Sequence, residues 1–70
     1  MPKDLSLTEI LKRERESREI DPEELSVALG LHKHVIARWE DGKQRPRFLS
    51  AVRWADALGF DIQITRRPAP

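Results

Sequence analysis

His32, Lys33, His34 and Arg38 lie in one short stretch, and Lys43, Arg45 and Arg47 follow almost at once. These residue types bind rather than react. Lysine or arginine can donate to O6 and N7 of guanine in the major groove. A neutral imidazole donates or accepts according to its tautomer. Ala37, between them, is small enough to approach a thymine methyl. Three cations in a short polar loop match the chemistry of phosphate contacts, which position a protein on a duplex without reading it. Enzyme chemistry finds no comparable footing. The chain has no cysteine, no glycine-rich phosphate cradle, and no nucleophile set beside a base. His32 with Glu40 or Asp41 is a poor acid–base set, with no nucleophile beside it. His32 and His34 invite a metal reading. On a helix, however, residues two apart point in different directions, and no cysteine or third histidine is available. Neither a metal nor a cofactor is therefore expected.

These groups need a scaffold, and residues 22–42 supply its pattern. Leu25, Ala28 and Leu29 form the apolar positions of one short helix. Gly30 can take the positive φ that leaves a helix sharply. Leu31, Val35, Ile36 and Trp39 form a second apolar series, predicted as a helix over Lys33–Asp41. Such a helix is apolar on one side and basic on the other, as the major groove requires. Asp21, Pro22, Glu23 and Glu24 make a helix start: a cap, a proline at the first position, and acids at the positive dipole end.

Upstream, Met1–Leu5 reads as a loose end, and Ser6 with Glu9 forms a capping-box pattern. Leu7, Ile10 and Leu11 give this first helix its apolar face, a solvated charged run follows, and Ile20 should tuck under the next helix. Gly42 should end the reading helix and Pro46 open the next. Over Arg47–Leu58 the residues Phe48, Ala51, Val52, Ala55 and Leu58 repeat at helical spacing and are expected to complete the core with Trp39. Trp54 and Leu49 lie off that stripe. Trp54 could cover an edge of the core or anchor a partner.

After Gly59 the pattern changes. Phe60 to Thr65 alternates apolar and polar, which predicts a strand. A lone strand has unpaired edges, and pairing with a second copy about a two-fold axis satisfies them. Phe60, Ile62, Ile64 and Trp54 are thus the expected dimerising residues, and 66–70 a basic tail. One domain is expected over 1–70, with its core at 6–59 and the strand at 60–65.

Composition sets the remaining bounds. Seventy residues allow one small core. The formal net charge is +1 but unevenly spread: residues 1–30 hold 5 Lys/Arg against 8 Asp/Glu, a net of −3, and residues 31–70 hold 8 against 4, a net of +4. The half with the candidate reading helix carries the field that attracts phosphate. There is no disulfide, no apolar run long enough for a bilayer and no signal-peptide pattern, so a cytoplasmic protein without membrane contact is expected.

The ordered set Glu23, Glu24, Leu25, Leu29, Gly30, Leu31, Ile36, Trp39, Glu40 and Gly42 resembles the lambda-repressor-like, or xenobiotic-response-element, helix-turn-helix family. The likeness continues through Arg45–Leu49 and Ala55–Gly59, covering about residues 7 to 60. The resemblance implies an all-α fold of four helices, here with a C-terminal β-strand like the dimerising strand of some antitoxins. It implies sequence-specific double-stranded DNA binding by a transcriptional regulator, a dimeric repressor on a pseudo-palindromic operator. The alternative is an antitoxin that binds a protein toxin and autoregulates its operon. Carried over position by position, the base-reading residues are His32, Lys33, His34 and Arg38, and Lys43, Arg45 and Arg47 track phosphates. Arg15 and Glu40 hold the places of a structural ion pair. The chain departs from the family at Pro22, where glutamine usually touches a phosphate, so that contact is not carried over. His32 replaces the usual serine or threonine cap.

Overall fold

The computed structural model describes residues 6–63. Its elements are α1 (Leu7–Ser17), α2 (Pro22–Ala28), α3 (Val35–Glu40) and α4 (Phe48–Ala57). The described residues contain no strand. Residues 60–63 have no regular structure, and Ile64, Thr65, the tail and Met1–Leu5 lie outside the described residues.

Local chemistry sets the helix starts. The Ser6 side chain accepts from the Glu9 amide at 3.2 Å. Asp21 Oδ1 accepts from the Glu23 amide at 2.8 Å, with Pro22 at the first helical position. Both bonds satisfy amides that a helix start otherwise leaves open. The ends of α2 and α3 turn on Gly30 and Gly42, both at φ +74°. That left-handed conformation is strained for any residue with a Cβ. It lets the Leu31 amide donate to the Ser26 carbonyl at 2.9 Å, and the Lys43 amide to the Arg38 carbonyl at 3.0 Å.

Leu11, Leu25, Ile36, Trp39, Trp54, Ala55 and Leu58 form the core, with Ile20, Leu29, Leu31, Val35 and Ile62 packed against it. The two indoles are tilted against each other, with ring centroids 5.4 Å apart. Two arginines tie helix ends together. Arg18 Nη2 donates to the Leu58 carbonyl at 2.9 Å, and Arg53 Nη2 donates to the Leu29 carbonyl at 2.6 Å.

The core departs from its predicted membership at Trp54, Phe48, Ala28 and Leu7, the last of them 40% exposed on the apolar face expected of α1. Trp54, expected at an edge and among the dimerising residues, has no exposed surface and so nothing to offer a second copy. Phe48, expected inside, is 57% exposed. It is the first residue of α4, where the chain is still arriving from the loop and the core lies further along. Ala28, expected on the inner face of α2, is exposed, and Ser26 is buried instead. The inner stripe of α2 runs through Leu25, Ser26 and Leu29, which are neighbours at helical spacing.

Candidate nucleic-acid interface

The helix expected to read bases is shorter than predicted. The chain from His32 to His34 is a turn, and α3 starts at Val35. Ile36 and Trp39 are buried on the inner face, at 0% and 4% exposure. His32, Lys33, His34 and Arg38 are exposed, as are Lys43, Arg45 and Arg47 in the loop that follows. Among the described residues, no carboxylate lies within ion-pairing distance of Lys33, Arg38, Lys43, Arg45 or Arg47. No described carboxylate therefore neutralises their charges. Asp41 is also exposed beside the loop, a negative charge among these cations.

The loop is not independent of the helix. The Arg38 carbonyl accepts from the Lys43 amide at 3.0 Å and from the Gln44 amide at 3.3 Å. A residue expected to read bases and one expected to hold phosphate therefore share one backbone anchor.

The turn geometry corrects the picture of the two histidines. They do not diverge as on a helix: their ring centroids are 5.4 Å apart, at an interplanar angle of 59°. His32 is also more than a missing cap. Its Nδ1 accepts from the His34 amide at 3.3 Å, a long bond that requires the neutral ring. No group of three or more His, Cys, Asp or Glu among the described residues is arranged to hold a metal.

At the far end of α3, Arg15 Nε donates to Glu40 Oε2 at 2.7 Å and Nη2 to Oε1 at 2.8 Å. Nη1 donates to the Ile20 carbonyl at 2.7 Å. This two-pronged pair is mostly buried, with side-chain exposures of 11% for Arg15 and 4% for Glu40. The hydrogen bonds to Glu40 raise the Arg15 pKa above the ordinary arginine value, opposed by desolvation and aided by the charges of Glu40, Glu16 and Asp21. A raised pKa gives stability that is fully present below the unfolded-state value and is lost only as pH rises through the folded one. From the arginine side, then, the pair is insensitive to pH over the neutral range.

Ser26 is the residue that sequence reasoning missed. Its Oγ donates to the Pro22 carbonyl at 2.8 Å and accepts from the Ile36 amide at 3.1 Å. No local pattern marks it, because its second partner is an amide ten residues further along the chain.

A family model described as helix-turn-helix matches residues 11–64, most of the chain. No curated protein and no solved structure matches.

Proposed function

Because the chain belongs to the Cro/C1-type helix-turn-helix family of DNA-binding transcriptional regulators, we propose that it is a sequence-specific repressor acting as a dimer in the cytoplasm. The family is one of regulators rather than enzymes, and no helix among the described residues is long and apolar enough to cross a membrane. One observation carries the reading. Lys33 and His34 in the turn and Arg38 on α3 are exposed together, while Ile36 and Trp39 lock the opposite edge of α3 into the core. A helix held in that way can enter the major groove without rearranging. Repression then needs no chemistry, because covering an operator excludes other proteins from it.

The roles divide. Arg38, with His32, Lys33 and His34, reads bases, and Lys43, Arg45 and Arg47 hold phosphates. Selection of bound duplexes from a random pool tests binding and half-site symmetry together. With the selected duplex, Arg38→Ala should cost about 1–3 kcal/mol and relax preference at one position. Lys43→Ala should weaken selected and random duplexes alike and lower the salt slope by about 1. Equal losses on both duplexes for both variants would refute the division.

Dimerisation is assigned to the segment 60–65, through Phe60, Ile62 and Ile64. Phe60 retains 36% exposure, while Ile62 packs on the core of its own chain. Deleting 64–70 leaves Ile62 in place and should give a monomer in sedimentation. A truncated chain that still sediments as a dimer would remove the strand model.

An antitoxin role is supported by a different observation. Phe48 and Leu49 stand exposed at the start of α4, Leu49 at 74%, and apolar side chains of this kind suit a protein partner. In this reading the outer face of α1 and α4 holds a toxin. Co-expression with the product of an adjacent gene separates the two: a stable complex favours the antitoxin, and an unbound dimer the free-standing repressor.

A further inference from the structure

We infer that Ser26, fully buried on α2, is a positioning residue for DNA reading: its hydroxyl caps α3 from outside and sets how the reading edge is presented. The inference rests on the operator-binding function proposed above.

A helix start leaves its first amides without partners inside the helix. In α3 the His34 side chain supplies none of the missing bonds. The amides find partners in sequence order. That of His34 donates to His32 Nδ1, that of Val35 to the His32 carbonyl at 3.0 Å, and that of Ile36 to Ser26 Oγ. The first two partners belong to the turn itself and move with it. Only the third comes from another element, and it is a buried bond. A hydroxyl has one donor and two acceptor sites. Ser26 uses the donor on the Pro22 carbonyl at 2.8 Å, which aims its lone pairs toward Ile36. The Ser26 carbonyl meanwhile accepts from the Leu31 amide at 2.9 Å, on the far side of Gly30. One residue therefore grips both the corner and the helix that follows.

Alanine at this position fills nearly the same volume but accepts nothing. The Ile36 amide is then buried without a partner, an arrangement proteins avoid. It can be relieved by moving the start of α3 toward water. Such a movement displaces His32, Lys33 and His34, while Arg38, one turn on and nearer the Arg15–Glu40 anchor, stays. Base reading needs all of them in one register. Phosphate contact by the loop does not.

The test compares Ser26→Ala with Ser6→Ala, which also deletes a capping hydroxyl but at the start of α1. Both full-length variants are measured at a temperature where circular dichroism shows them folded. The duplex is the one selected by the unmodified chain, with a random duplex alongside. Ser26→Ala should lose about tenfold on the selected duplex, the scale of one buried hydrogen bond, and less than about twofold on the random one. Ser6→Ala should match the unmodified chain on both. The Ile36 amide should exchange with solvent about tenfold faster in Ser26→Ala, a readout that needs no DNA. If Ser26→Ala does not fold, Ser26→Cys keeps the size with a weaker acceptor and should shift both readouts in the same direction. Equal loss on the two duplexes, or an Ile36 amide that exchanges at its original rate, overturns the inference. An unmodified chain that prefers no duplex overturns the operator reading instead, and the Ile36 amide then decides the capping role alone.

Discussion

Trp54→Ala is expected to lose about 3–5 kcal/mol of stability, the range for truncating a buried tryptophan. A domain of this size holds only roughly 4–10 kcal/mol in total, so much of the population should be unfolded at 37 °C. The side chain has no exposed surface and stacks against Trp39, so its removal leaves a cavity against the second indole. Helices this short cannot close the gap without withdrawing α4 from α3. Trp54→Phe separates two contributions. No group among the described residues accepts a hydrogen bond from the buried Trp54 Nε1, and carrying such a group inside without a partner costs about 1–3 kcal/mol. Phenylalanine removes that burden along with part of the volume, so its loss should be well under half that of alanine. Urea unfolding followed by the fluorescence of Trp39 measures both. A Trp54→Ala chain as stable as the original would mean that this side chain is not in the core.

Glu40→Ala should be nearly as damaging, with a loss of about 3 kcal/mol. The reason differs: the substitution strands a charge rather than emptying a space. Arg15 remains mostly enclosed, still bonded to the Ile20 carbonyl but without the carboxylate that held Nε and Nη2. Removing one member of a buried pair is much worse than removing both, because the surviving charge has no match. Arg15→Met combined with Glu40→Leu should therefore lose clearly less than the sum of the two single variants, and chemical denaturation of the four proteins gives the coupling directly. Additive losses would show that the two side chains do not act as a pair. The consequence reaches the interface, because this pair fastens the end of α3 to α1, just as Ser26 fastens its beginning to α2.

The sequence by itself determined much of this protein, for reasons that are local. Ser6 with Glu9 and Asp21 with Pro22 mark helix starts because caps act within three residues of themselves. Gly30 and Gly42 mark helix ends because only a residue without a Cβ takes that φ cheaply. The exposed Arg38 was legible because a basic edge opposite Ile36 and Trp39 follows from helical periodicity, and Lys43, Arg45 and Arg47 because a polar run follows the glycine that ends the helix. The Arg15–Glu40 pairing came from likeness to a family, since nothing local joins residues 25 apart. Other features were decided by tertiary structure alone. Phe48 and Trp54 both sit on α4, and hydrophobicity ranks both as core candidates. Which one is buried depends on where α4 crosses the Trp39 face of α3, a relation between elements distant in the chain. Ser26 went unmarked for the same reason. A serine counts as polar until an amide from another helix meets its hydroxyl, and only the folded arrangement of α2 and α3 brings that amide within 3.1 Å.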